Sequence, residues 1–234
     1  MIRKCWFIVV LIFAGACTCR AALIAGWDFN SQTSGTTAPT PISTDHGSGS
    51  LNLSQLANSS DAAIGSGGTS VNEFGTDLAG NDLIVTAGTG TRENGKSIIY
   101  SLSTSGYENI ILTYATTASG TGFNSQQWSY STDGTDYTPF TTITGMGATY
   151  SATGVETVDF SSATAVNNDA TVYFELTLSG ASNGGGTDHF DNFQFNATPI
   201  PEPTEWGTIA GAGLLAVCGL RVWRQSRCVE KLKL

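Results

Sequence analysis

Thr171-Val172-Tyr173-Phe174-Glu175-Leu176-Thr177-Leu178 alternates polar and apolar side chains without a break. Successive side chains of a strand point to opposite faces, so Val172, Phe174, Leu176 and Leu178 form one buried face. Thr171, Tyr173, Glu175 and Thr177 stand opposite them. The same period of two recurs at Ile98, Tyr100 and Leu102, and again at Ile110, Leu112 and Tyr114. Further strands are predicted over 23–29, 83–87, 126–131, 137–143, 155–160 and 190–195, from β-branched and aromatic residues bounded by Gly, Ser, Thr and Asn. Trp128 and Tyr130 run into Asp133-Gly134, a hairpin turn pair, and Tyr137 and Phe140 follow it. About nine or ten short strands with no helical interruption predict an all-β, antiparallel β-sandwich or a barrel, and the sandwich is the reading taken. Gly-rich stretches at 31–50 and 182–186 are expected to be its least regular parts.

The composition narrows the function. The chain has 234 residues, 12% of them charged, 28 glycines and a mean hydropathy of 0.00. That excludes a highly charged disordered chain and a coiled coil. The net charge of −9 argues against a nucleic-acid partner, because phosphate binding needs Lys and Arg. Cys5, Cys17, Cys19, Cys218 and Cys228 all lie near the ends, and 22–200 contains none. This stretch therefore has no disulfide framework, cysteine nucleophile or thiolate metal site. It carries sixteen Asp and Glu against Arg92 and Lys96, a formal charge of −14. Such a domain repels anionic polymers and can gather divalent cations.

The two ends have the chemistry of export. Residues 1–21 combine Arg3 and Lys4, a short apolar run and the small-residue pattern Cys19-Arg20-Ala21, as a secretory signal peptide does. A retained anchor, or a lipoprotein signal at Ala14-Gly15-Ala16-Cys17, are rival readings. The domain itself is assigned to 22–198. In 199–234, Pro201-Glu202-Pro203 precedes an apolar stretch near the lower limit for a spanning helix, then Arg221, Arg224, Arg227, Lys231 and Lys233. The basic tail would stay cytoplasmic by the positive-inside rule.

Pro201-Glu202-Pro203, the Gly/Ala/Leu-rich helix and the arginine cluster resemble the PEP-CTERM sorting signal of Gram-negative bacteria. The resemblance covers about the last 34 residues, and this tail runs on past the arginines to Leu234. It implies membrane insertion through the C-terminal helix, cleavage near Pro-Glu-Pro by an exosortase-type enzyme, and delivery to the surface or exopolysaccharide matrix. An ordinary C-terminal anchor is the alternative. Within the domain, Trp128-Ser-Tyr-Ser-Thr-Asp-Gly-Thr-Asp-Tyr137 and Asp191-Asn192-Phe193-Gln194-Phe195 resemble jelly-roll domains of the carbohydrate-binding-module type. That likeness covers about a third of the domain and implies fold more strongly than sugar binding.

Candidate chemistry is sparse. Gly90-Thr-Arg-Glu-Asn-Gly95-Lys96-Ser97 fits the P-loop spacing, but a P-loop must open a helix and Ser97–Leu102 has the alternation of a strand. Asp191, on a regular last strand, would share the core-facing side with Phe193 and Phe195. A carboxylate there needs hydrogen bonds or a cation. Asp28 lies in the first strand, often a neighbour of the last, so Asp28 and Asp191 are candidates for a structural calcium site, with Asp188 and backbone carbonyls to complete it. The alternative is that both carboxylates bond to backbone. Sugar binding would use exposed aromatics, for which Trp128, Tyr130, Tyr137 and Tyr150 are candidates against a packing role. His46 and His189 are the two histidines, no zinc motif is present, and no triad or carboxylate pair stands out, so no enzyme is expected. The expectation is an exported, structural or adhesive surface protein, with exopolysaccharide as partner. A carbohydrate-binding module proper and a polysaccharide-acting hydrolase are the alternatives.

Overall fold

A computed structural model describes residues 20–75, 78–150 and 155–201. The expected signal segment lies outside the described residues. So does the membrane helix, with Glu202, Pro203, Arg221, Arg224 and Arg227. Among the described residues no helix is long and apolar enough to cross a membrane.

In chain order the strands are β1 (Ala22–Trp27), β2 (Thr36–Thr37), β3 (Ile42–Ser43), β4 (His46–Gly47), β5 (Gly49–Asn52), β6 (Ala62–Gly65) and β7 (Asp82–Thr86). They continue as β8 (Lys96–Leu102), β9 (Tyr107–Ala118), β10 (Ser125–Ser131), β11 (Thr138–Thr144), β12 (Val155–Asp159), β13 (Val172–Ser179) and β14 (Thr187–Pro199). Short 3₁₀ turns are the remaining regular structure among the described residues. Every strand pair is antiparallel, in two sheets. Sheet A runs β12-β9-β14-β7-β6-β2, with β1 on β14 and β4 on β1. Sheet B runs β11-β10-β13-β8-β5-β3.

The predicted alternation sets which face each residue takes. In β13, Val172, Phe174, Leu176 and Leu178 are fully buried, and Tyr173, Glu175 and Thr177 are half-buried on the other side. The stretch 31–50, expected to be irregular, contains β2, β3, β4 and the first two residues of β5. These strands of two to four residues escape recognition because a two-residue ladder has no period to read. Asn94-Gly95 turns the chain, with Gly95 at φ 77°, and carries it from sheet A to sheet B.

The sheets meet through aromatic rings. Trp27 of sheet A meets Tyr100 of sheet B edge-on at 5.2 Å, Tyr114 meets Trp128 at 5.6 Å, and Phe174 meets Phe195 at 5.0 Å. Such contacts add about 0.5–1.5 kcal/mol each beyond the area they bury. Trp128, a candidate for sugar contact, is fully buried in this core. Tyr130 packs between Phe140 and Phe160 at 6.1 and 6.4 Å.

One core ring carries a flaw. Tyr100 is fully buried, and its hydroxyl has no hydrogen-bond partner among the described residues. A buried unpaired hydroxyl costs about 1–3 kcal/mol. Tyr100→Phe is therefore expected to stabilise the domain by about 1 kcal/mol, read as a higher midpoint in urea. A lower midpoint would show that the hydroxyl has a partner.

Candidate functional site

The outer face of sheet A is roofed by the loop between β6 and β7. Phe74 lies on Gly26 of β1, where any side chain would collide with its ring. The imidazole of His46 stacks on the other side of Phe74 at 4.2 Å. Asn192 and Gln194 of β14 hold the loop backbone, through Asn192 Nδ2 to Thr69 O at 2.7 Å and Gln194 Nε2 to Asn72 O at 2.6 Å.

Asp191 lies beneath this roof and not in the core. Along β14, Asp191 faces Ala115 and Gln194 faces Thr113, so three residues of β14 span two of β9. Asn192 takes the extra step in the left-handed region, at φ 53°. This bulge resets the alternation and turns Asp191 to the side of His189, away from Phe193. Its Oδ2 accepts from Thr69 N at 2.7 Å and its Oδ1 from Asn192 N at 2.8 Å. Burial, helped by the charges of Asp82 and Asp28, pushes its carboxyl up to about 8 against the pull of those amides.

β1 and β14 are neighbours, as expected, with Trp27 opposite Phe193. Asp28 follows β1 and is buried, and its closest acidic neighbour is Asp45. Asp45 Oδ2 accepts from Asp28 N and Phe29 N, both at 3.0 Å, and Asp28 Oδ1 accepts from Asn30 N at 2.9 Å. His46 Nε2 stands 3.5 Å from Asp28 Oδ2. Burial first, then Asp45, raises the Asp28 carboxyl above its usual range. Asp45 Oδ1 is buried without a hydrogen-bond partner. An orphaned carboxylate oxygen beside a second carboxylate suits a hard cation. Among the described residues, no group of three or more His, Cys, Asp or Glu side chains is arranged to hold a metal. The structure thus pairs Asp28 with Asp45, a residue the sequence did not single out, and spends both oxygens of Asp191 on backbone amides.

Asp188 is the carboxylate that does face the core. Trp128 Nε1 donates to Tyr114 Oη at 3.1 Å, and Tyr114 Oη donates to Gln126 Oε1 at 2.7 Å. Gln126 Nε2 donates to Thr116 Oγ1 at 3.1 Å and to Asp188 Oδ2 at 3.2 Å. Phe123 N donates to Asp188 Oδ1 at 2.9 Å. All donors run one way and end on a group that only accepts. Burial pushes the Asp188 carboxyl up to about 7, with the hydrogen bonds from Gln126 and Phe123 opposing.

The outer face of sheet B carries a half-buried polar row, with Ser97, Ser129 and Ser131 buried beside it. Tyr173, Glu175 and Thr177 form a row along β13. Ser131, Ser129 and Gln127 of β10 flank it on one side, and Ser101, Ile99 and Ser97 of β8 on the other. Ser97 Oγ and Thr177 Oγ1 are hydrogen-bonded at 2.9 Å. The Tyr173 ring lies over Gly134 of the β10–β11 hairpin. Tyr137 in the same hairpin is half-buried, and burial, then the nearby Glu175 and Tyr173, raises its hydroxyl above the ordinary range. Of the four aromatic candidates, Tyr137 is the one on this face. Tyr173 and Glu175 were visible as the outward side of the opening alternation.

The P-loop-like segment is structural. Glu93 is fully buried and accepts from Ala57 N at 2.7 Å and Asn58 N at 3.0 Å. Lys96–Leu102 is a strand, so no helix N-terminus is there to hold phosphate.

No family description matches the chain, and no curated protein matches it. Solved structures similar to it include the CBM22-1 xylan-binding domain of Xyn10C from Paenibacillus barcinonensis, at 9% identity over 77% of this chain and 97% of that one, with a TM-score of 0.43. The K2 cleaved adhesin domain of Lys-gingipain is similar at 14% identity over 73% and 96%, TM-score 0.42. The module TmCBM61, solved with β-1,4-galactotriose, is similar at 9% identity over 58% and 81%, TM-score 0.38.

Proposed function

We propose that the sandwich is a non-catalytic carbohydrate-binding module of an exported protein, and that its adhesive role in an exopolysaccharide matrix follows from that binding. The observation that carries this reading is the row Tyr173–Glu175–Thr177 with Tyr137 beside it. Aromatic rings stack on the apolar faces of sugars, and a carboxylate and hydroxyls beside them accept and donate to the sugar hydroxyls. The row runs along one strand, which suits a chain better than a single sugar. The acidic domain selects against anionic polysaccharides at low salt, so the expected ligand is neutral.

Export supports the reading. The leader at 1–21, Pro201-Glu202-Pro203 and the arginines 221, 224 and 227 would carry the domain to the surface or matrix of a Gram-negative bacterium through an exosortase-type partner. A hydrolase would need two carboxylates free to act across a cleft. Asp28, Asp188, Asp191 and Glu93 each accept from backbone amides instead.

Affinity electrophoresis in gels containing neutral polysaccharides tests the reading. Tyr173→Ala and Glu175→Gln are expected to weaken retardation about tenfold each, the effect of about 1.4 kcal/mol. If the wild-type domain is retarded by none of a broad panel, the module reading falls.

A structural calcium ion would be held by Asp28 and the orphaned Asp45 Oδ1, with Asp191 contributing charge from nearby. Calcium binds the folded state, so saturating it should raise stability by about 3 kcal/mol at a hundredfold excess over Kd. Chelation is expected to lower the thermal midpoint, and Asp45→Asn to abolish the response. An unchanged midpoint after chelation rules out the ion.

A further inference from the structure

On sheet A, beside the loop roof, His189 and Asp82 form a dyad that neither the core nor the sheet B platform uses. Asp82 is fully buried over Gly65, and its Oδ1 accepts from Gly67 N at 3.2 Å. Its Oδ2 stands 2.6 Å from His189 Nδ1. A carboxylate accepts, so Nδ1 carries the proton, and in the neutral ring Nε2 on the opposite edge is an acceptor. His189 is about a third exposed, at 31%.

It lines a pocket of about 340 Å³ whose wall includes Thr117, Ser119, Thr149, Tyr150 and Thr187. Ser119 Oγ accepts from Thr187 N at 2.9 Å, which leaves its own proton to donate. The Tyr150 hydroxyl is sealed inside without a well-formed hydrogen bond, and burial and the charges of Asp82 and Asp191 hold it well above its ordinary range. What Tyr150 offers the pocket is its ring.

The chemistry selects one class of ligand. No Lys or Arg lines the pocket, so an anion has no partner. The nearby carboxylates, Asp82 and Asp191, are buried and already accept from backbone amides, so a cation has no partner in the wall either. The wall sets hydroxyls among apolar surface, which suits a ligand that is itself part polar and part apolar. A sugar hydroxyl both donates and accepts, matching His189 Nε2 and the Ser119 hydroxyl, and a pyranose face can lie on Tyr150. The volume is at the small end for ligand sites.

We propose that the Asp82–His189 pocket is a second site, which takes a single neutral sugar unit, separate from the chain-binding row on sheet B. Asp82 is a positioning residue, fixing the imidazole so that Nε2 accepts.

Saturation-transfer NMR of the whole domain with free glucose, galactose, xylose, arabinose and mannose tests it. At least one sugar should bind, with affinity in the millimolar range. His189→Gln and Tyr150→Ala should each weaken it about tenfold, while Tyr173→Ala leaves it unchanged. Tyr150→Ala keeps the Asp82–His189 pair, so it reports on the pocket even if His189→Gln fails to fold. Binding by none of the five sugars overturns the proposal. So does binding that survives Tyr150→Ala in folded protein, or that is lost with Tyr173→Ala. If the polysaccharide panel fails but a monosaccharide binds here, the sheet B reading falls and this one stands.

Discussion

The thermal midpoint of the domain falls as pH rises from about 4 to about 8, and Asp188→Asn removes the part of that slope below about pH 7 that Asp188 carries. Asp191, pushed up to about 8, shares the cause with Asp188. The Asp188 carboxyl ordinarily titrates near 3.8 and is pushed up to about 7 in the fold. The folded state therefore binds the proton more tightly than the unfolded chain. That contribution is fully present below about pH 4 and is lost as pH rises through 7. A displacement of about three units corresponds to about 4 kcal/mol at most. On the acid side, Asp61 beside Arg92 and Asp159 beside the Ser161 amide titrate below their usual range. Their support is lost as pH falls below about 4, so the optimum is mildly acidic. Asp188→Asn does not yield a more stable protein. One oxygen accepts from Phe123 N and the other from Gln126 Nε2. An amide has one acceptor, so one donor must meet an NH₂ group, at about 1–3 kcal/mol. The variant should be less stable at pH 4, where the wild-type contribution is intact, and the difference should close as pH rises through 7. Parallel profiles would show that Asp188 does not carry the dependence.

Gly47→Ala is expected to destabilise the domain by about 3–5 kcal/mol, from two independent terms. Gly47 sits at φ 73°, which costs a residue with a Cβ about 1–2 kcal/mol. A Cβ there would also run into the Ile24 carbonyl oxygen, an atom of the β1 backbone that cannot rotate away. The strain falls where β4 meets β1, opposite Ala25, and so reaches the stretch that holds Asp28 and Asp45. Gly35→Ala is the control, with φ 75° and open space around the added methyl. It should cost only the conformational part. Urea midpoints measured side by side decide it, and equal losses would mean that β1 yields.

The long strands were legible and the polar clusters only partly so. β13 follows from its alternation alone, and the same pattern pointed Tyr173 and Glu175 outward. The pairing of β1 with β14 was also expected. Asp191 was assigned to the wrong face because one bulge at Asn192 reverses the alternation, and nothing but an asparagine marks it. Asp188 was taken as an accessory to that site, whereas one residue of shift makes it the end of the core chain from Trp128. Asp45 and Asp82 come to Asp28 and His189 from remote segments, and no local pattern encodes such a meeting. The burial of Trp128 shows the limit of residue type, since the same indole serves a core as well as a ligand.

Both sheets have guarded margins. β2, β3 and β4 are two residues long. β11 carries Pro139 opposite Ser129 next to a register break, and β12 carries Glu156 and Asp159. A strand margin is a template for another chain, and brevity, proline and charge all spoil it. A β protein packed at high density in a secreted matrix would otherwise tend toward fibrils. In the matrix role proposed above, margins of this kind would leave it to cohere through what it binds and not by zipping onto copies of itself.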